Sequence, residues 1–331
     1  MEKCWNLPLI KYSALNEIED SRDITVLYSK GTWEAVESKI SITPGKRIEV
    51  TEATINYWES LTPQISGEAI YAIGGGLAVD AAKYLAVKRS LPLTCIPTVI
   101  SVDAFLTWAS GYRSEGCVKY IETKPPEEVI VDFNIIRKAP VTIRSAGITD
   151  VLSIATGRFD WKYAHESGRN PASMQYDPAV DDMIESILNA AIACAPSAGR
   201  AEDEGLKRLV ECLAMEVQLC NFIGHSRPEE GSEHYFAYAA EQVLGKGLPH
   251  GDLVGPGIMI AARLQGQDTT VLEKAMRDCH VPLNKIPADT AREILRTLPE
   301  YCIKHDLPYG IADDLNEDKI IDLNLDFINE D

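Results

Sequence analysis

Histidine is scarce in this chain, with six among 331 residues. Cations are also in short supply: 32 Lys and Arg stand against 50 Asp and Glu, for a formal net charge of −18. An acidic surface repels phosphate backbones, which argues against nucleic acid as a partner but leaves room for a small anionic ligand in a locally positive pocket. No CxxC pair occurs among the eight cysteines, which are Cys4, Cys95, Cys117, Cys194, Cys212, Cys220, Cys279 and Cys302. Most of them lie in apolar or helical surroundings, so reduced cytosolic thiols are expected rather than a disulfide framework. The opening MEKCWNLPLI lacks the basic segment and long apolar run of a signal peptide. No apolar stretch reaches about 18 residues, the length a membrane span needs. The expectation is a cytoplasmic protein without a membrane span.

What is present is an ordinary globular composition, 45% hydrophobic and 25% charged, in a chain long enough for two domains. The first 139 residues alternate short β-rich runs with amphipathic segments. Strands are expected at 23–30, 47–53, 68–76 and 91–99, with helices at GTWEAVESKI, TINYWESLTPQI and 77–90. YRSEGCVKYIE (112–122) reads as a hairpin and EEVIVD (127–132) as a final strand. Such alternation predicts a parallel sheet covered by helices, an α/β domain over 1–139. From 140 to 331 the apolar spacing shifts to three and four, predicting a mostly helical second domain with helices at 203–224, 233–244, 253–264 and 269–279. The segments 170–182 and 195–203 read as loops, and the acidic tail as weakly ordered.

IGGGLAVDAAKYLAV joins a strand to a helix through Gly74, Gly75 and Gly76. Glycines there allow close backbone approach, and a helix start favours an anion such as a pyrophosphate. A plain tight turn explains the same residues, and the spacing is not GxGxxG. Asp80 near the helix start suits the dipole and pairs with Lys83 at i,i+3, or else it supports a cofactor loop. Glu52, at a strand end, is either an exposed acid or an acceptor for a ribose hydroxyl that would disfavour the 2′-phosphate of NADP.

GSEHYFAYAAEQVLGKGLPHGD holds His234 and His250, each at a helix mouth. Two such histidines are either incidental or metal ligands. Asp150, in the apolar helix start SAGITDVLSIAT, is either an N-cap or the third ligand. One Asp and two His would leave a coordination position open, the layout of a catalytic rather than a structural zinc site.

IGGGLAVDAAK, IPTVISVDA, APVTIRSAGITDVLS, SRPEEGSEH and LPHGDLVGPG, in that order, resemble the glycerol-1-phosphate dehydrogenases. These belong to the superfamily of iron-containing alcohol dehydrogenases, glycerol dehydrogenases and dehydroquinate synthases. The resemblance covers roughly residues 20 to 315. It implies an NAD(P)-binding α/β domain, a helical metal-binding domain and an active site in the cleft between them, with Zn (or Fe or Ni) on Asp150, His234 and His250. It places Gly74, Gly75, Gly76 and Asp80 at the cofactor pyrophosphate, Thr98 and Ser101 at the nicotinamide ribose and phosphates, and Asp103 beside the nicotinamide and the substrate hydroxyls. The expected reaction is NAD(P)H-linked reduction of a small keto substrate of the dihydroxyacetone phosphate kind, by a homo-oligomer. Arg227 either holds a substrate phosphate or is a surface arginine paired with Glu229 or Glu230.

The chain departs from the resemblance at Ser101-Val102-Asp103-Ala104, where the family usually reads Ser-His-Asp-Gly, and in the bulky Phe105–Trp108 loop that follows. Two rival readings stay open: a lyase or cyclase that uses NAD transiently, as dehydroquinate synthases do, and a non-catalytic nucleotide- or metal-binding relative.

Overall fold

The computed structural model describes residues 4–328. The chain divides into two compact units, one of Trp5–Arg144 and one of Ser145 onward joined by Cys4. Each is described by itself.

The first unit is a six-stranded parallel sheet in the order β1-β8-β5-β4-β2-β3. Its strands are β1 (Leu9–Tyr12), β2 (Ile24–Tyr28), β3 (Lys46–Glu49), β4 (Ala69–Gly74), β5 (Leu93–Pro97) and β8 (Glu128–Val131). The helices are α1 (Thr32–Val36), α2 (Ile55–Leu61), α3 (Gly76–Arg89) and the short α4 (Phe133–Ile136) and α5 (Val141–Arg144). The central β4 and β5 are buried along their whole length, as strands covered on both faces must be, and this explains their unbroken apolar runs. Val26, Ile73, Ile96 and Ile130 meet Trp33 and Val36 in one core cluster. β1 and its parallel register with β8 escaped the sequence reading, because LIKY is mostly exposed and carries no alternation to read. The expected hairpin forms as β6 (Ala109–Ser114) and β7 (Cys117–Glu122), an antiparallel pair in a sheet of its own.

The strand order changes direction between β2 and β4. β2 leads outward to β3, whereas β4 leads the other way to β5. Open parallel sheets bind ligands at the carboxyl ends of the strands flanking such a reversal. The turn Gly74–Gly76 sits there, at the end of β4.

The second unit is helical: α6 (Ile148–Leu152), α7 (Ile154–Glu166), α8 (Pro178–Gly199), α9 (Asp203–Ile223), α10 (Ser232–Leu244), α11 (His250–Leu264), α12 (Thr270–Asp278), α13 (Ala288–His305) and α14 (Glu317–Asp322). α8 overturns part of both expected loops, because it takes up Pro178–Asp182 and Ala195–Gly199. Pro178 sits at the first helical turn, where its missing N–H is not needed, and Asp177 caps it by accepting from the Ala179 amide at 2.9 Å. The proline and small residues that suggested a loop at 195–199 are instead the last turn of a long helix. The tail is ordered through α14 and a further turn to Ile328; residues 329–331 lie outside the described residues. Seven of the eight cysteines are buried and Cys4 is exposed. Among the described residues no helix is long and apolar enough to cross a membrane.

α10 and α11 pack so closely that a Cβ added at Gly257 would lie 2.4 Å from the Glu233 carbonyl oxygen. This contact is with backbone, which cannot rotate away. Gly257→Ala should therefore push α11 off α10 and cost about 1–3 kcal/mol in denaturant unfolding. Gly255→Ala, whose Cβ would meet only side-chain atoms of Val281, Leu283 and Met276, should cost less. Equal losses for the two variants would contradict this account.

Candidate metal centre and nucleotide turn

Three helix starts converge in the second unit. Asp150 is the third residue of α6, His234 the third of α10 and His250 the first of α11. One ligand atom from each lies within 4.8 Å of the others. His250 Nε2 is 2.9 Å from Asp150 Oδ1, and the two imidazole rings stand 5.4 Å apart, centroid to centroid. Asp150 does not cap α6, since Gly147 occupies that position. Asp150 is 8% exposed and His234 7%, too deep for either to be an incidental surface group. Zinc bonds of about 2.0–2.2 Å separate tetrahedral ligand atoms by roughly 3.3 Å. The observed spread is thus within reach of closing on an ion, and one carboxylate with two imidazoles is a donor set that suits a dication with one position left open.

A residue that the sequence reading passed over organises this centre. Glu233 is completely buried. Its Oε1 accepts from the Gly231 amide at 2.6 Å and from His234 Nδ1 at 2.9 Å, and its Oε2 accepts from Thr156 Oγ1 at 2.7 Å. A carboxylate can only accept, so Nδ1 carries a proton, and in the neutral ring Nε2 presents its lone pair. Consecutive helical side chains normally diverge, which is why Glu233 was not matched with its neighbour. Burial lowers the His234 pKa, but the hydrogen bond and charge of Glu233, with the charges of Glu230 and Asp150, outweigh it and bring the value to about 9.

Asp160 lies behind Glu233, also fully buried. It accepts from the Ser232 amide at 2.8 Å, Ser232 Oγ at 2.5 Å, Gln265 Nε2 at 2.9 Å and the Ile311 amide at 3.0 Å. Burial and the Glu233 charge push its carboxyl up. Arg227 is 2% exposed, which rules out the surface-arginine alternative. Its Nη1 donates to Tyr235 Oη at 3.1 Å and its Nη2 to the Tyr309 carbonyl at 2.8 Å. As placed, Arg227 braces the turn before α10 with the donors that were expected to hold a substrate phosphate.

In the first unit, the cofactor candidates gather around the glycine turn. Gly74 has φ +146°, and a Cβ there would lie 2.9 Å from Ser29 Oγ. Among the described residues that buried hydroxyl has no hydrogen-bond partner, an unmet polar atom at the sheet's crevice that fits a polar ligand. A Cβ at Gly75 would lie 3.4 Å from Ser101 Oγ, and one at Gly76 would lie 3.2 Å from Val102 Cγ2. Thr98 is buried, and its amide donates to the Gly74 carbonyl at 3.4 Å. Asp80 Oδ1 pairs with Lys83 Nζ at 3.1 Å, and Lys83 donates further to Thr107 Oγ1 at 2.9 Å and to the Ala109 carbonyl. Burial pushes the Asp80 carboxyl up while Lys83 pulls it down. Asp103 lies in the same covering loop, half-buried. The missing side chains at Gly74 and Gly76 leave room for Ser29 and Val102 to pack against the turn.

A sequence model of the family described as "Iron-containing alcohol dehydrogenase" matches residues 10–140. The glycerol-1-phosphate dehydrogenase [NAD(P)+] of Methanothrix thermoacetophila is 30% identical over 248 residues, 73% of this chain and 69% of that one. The fold is similar to that of glycerol dehydrogenase from Schizosaccharomyces pombe, with a TM-score of 0.67, 20% identity and coverage of 93% of this chain and 82% of that one. It is also similar to 2-epi-5-epi-valiolone synthase from Streptomyces hygroscopicus subsp. jinggangensis, whose structure holds NAD+ and Zn2+, with a TM-score of 0.66, 15% identity and coverage of 100% and 98%.

Two outcomes follow for the metal centre. Glu233→Gln should weaken zinc binding about 10–100-fold while Asp150, His234 and His250 remain in place. His234 is protonated below its pKa of about 9 in the metal-free protein, and an ion on Nε2 must displace that proton. Calorimetry in buffers of differing ionisation enthalpy should therefore record release of about one proton per zinc near neutral pH. Release should fade as pH rises through about 9. The same raised pKa means that His234 stabilises the metal-free fold below its unfolded value near 6.5, a contribution lost as pH climbs through about 9.

Proposed function

The chain belongs to the iron-containing alcohol dehydrogenase family, and on that footing we propose that it is a metal-dependent, NAD(P)H-linked oxidoreductase that reduces a small phosphorylated ketone of the dihydroxyacetone phosphate kind to an alcohol. The observation that carries the reading is the convergence of Asp150, His234 and His250, with their ligand atoms within 4.8 Å. When bound, a dication on these residues polarises a carbonyl oxygen, and NAD(P)H supplies the reducing equivalent.

The protein's own residues do the rest. Glu233 keeps the His234 proton on Nδ1 and so keeps Nε2 available. Asp150 contributes the one anionic ligand. Gly74, Gly75 and Gly76 give the cofactor diphosphate a backbone surface at a helix start. Thr98, Ser101 and Asp80 line or support that turn. Asp103 orients the substrate hydroxyls. Arg227 is a positioning residue for the turn that precedes His234. We assign the protein to the cytoplasm, because its mostly buried cysteines, with no CxxC pair among them, suit a reducing compartment.

The test is a panel of ketones and keto-phosphates with NADH and NADPH, with and without zinc. Net consumption of NAD(P)H with dihydroxyacetone phosphate, abolished by a chelator and restored by zinc, is the expected result. A lyase or cyclase that uses NAD transiently would consume none. Asp103→Asn should retain zinc and lose turnover about a hundredfold, whereas His250→Ala should lose the zinc itself. Undiminished metal stoichiometry and affinity in His250→Ala would remove it from the ligand set.

A further inference from the structure

His234 has a second aromatic neighbour besides His250. Tyr238 stands four residues further along α10, so the two side chains share one face of the helix. Helical side chains lean toward the helix start. The Tyr238 ring accordingly meets the His234 ring, with 6.1 Å between centroids and 52° between planes. Its hydroxyl reaches past α10 and donates to Glu230 Oε1, in the turn before the helix, at 2.7 Å. We infer that Glu230 is a positioning residue of the metal centre, acting on His234 through Tyr238. The inference rests on the proposed metal-dependent function and adds a second carboxylate to the support of its ligands.

Glu230 is fixed firmly enough to serve as an anchor. The Glu229 and Glu230 amides both donate to the Ser226 carbonyl at 2.9 Å, which closes the turn. Ser226 Oγ donates to Glu230 Oε2 at 2.6 Å, so each carboxylate oxygen accepts from its own hydroxyl. The Glu230 carbonyl accepts from Arg227 Nη1 at 3.5 Å, and Arg227 is itself buried. Tyr238 is also buried, and a tyrosine at that depth needs a partner for its hydroxyl. Glu230 supplies that partner and so determines where the ring lies.

The two carboxylates act on His234 in different ways. Glu233 bonds to Nδ1 and selects the tautomer, but a single hydrogen bond still lets an imidazole rock about its Cβ–Cγ bond. A ring packed against it stops that motion, provided the ring is itself fixed. Nε2, the nitrogen that Glu233 leaves available, is then held in one direction. The Glu230 charge also reaches His234, and a negative charge there favours a cation at the centre.

The experiment compares wild type, Tyr238→Phe, Glu230→Gln and the double variant as full chains, with melting temperatures as the check on folding. Zinc affinity is read by competition with a chromophoric chelator, and ligand geometry by the absorption bands of the cobalt-substituted protein. Tyr238→Phe keeps the ring and removes its anchor. It should weaken zinc about threefold to tenfold, less than the loss of a group bonded to the ligand itself, and shift the cobalt bands. Glu230→Gln should weaken zinc to a similar extent. Because both changes break one contact, the double variant should lose less than the product of the two single effects. Unchanged zinc affinity in either single variant, or a double variant equal to that product, would overturn the inference while the metal centre stands. Wild-type protein that binds zinc no more tightly than His250→Ala would overturn both.

Discussion

The buried carboxylate of Glu233 is the constraint on which the helical unit is built. A charge removed from water is tolerated only when donors surround it, and Glu233 finds them in the Gly231 amide, Thr156 Oγ1 and His234 Nδ1. Those three donors come from the turn before α10, from α7 and from α10 itself. Meeting the needs of one side chain therefore fixes the entry of α10, its distance from α7 and the tautomer of a candidate metal ligand together. The close approach of Gly257 to the Glu233 carbonyl then carries the same fixed point to α11, whose first residue is His250.

Asp160 repeats the device one layer behind. Its four donors tie α7 to the Ser232 turn, to Gln265 at the end of α11 and to the 310–312 segment. Gly310 and Gly231 lie against it because a Cβ at either would come within 3 Å of its Oδ2. Arg227 adds a buried guanidinium, and its Nη groups bind Tyr235 and Tyr309. A dense polar interior of this kind is costly unless it is nearly complete. It gives the candidate metal ligands a rigid support in return.

The sheet unit solves a different problem, which is to leave space. At Gly74, Gly75 and Gly76 the neighbouring atoms of Ser29, Ser101 and Val102 stand where a Cβ would reach. Val102 closes over the turn at the position where the family resemblance calls for histidine, so the loop that departs from the family pattern is in contact with the proposed cofactor turn. Lys83 and Asp80 anchor that turn's helix to β6 from beneath.

The sequence by itself determined the alternation of strands and helices, the glycine turn and the identity of the three ligand candidates. Each of these is a local signal: hydrophobic period, missing side chains, or a titratable residue at a helix start. It misjudged α8, because a proline within a helix and a run of small residues look like a loop until the rest of the helix is seen to pack. It missed β1, which has no periodicity of its own and exists only through its pairing with β8. It also missed Glu233 and left open whether Arg227 is exposed, since whether a charged side chain is exposed or buried is decided by what folds over it. Only the tertiary structure brought Asp150, His234 and His250 together across a hundred residues of chain, because that convergence depends on how closely α6, α10 and α11 pack.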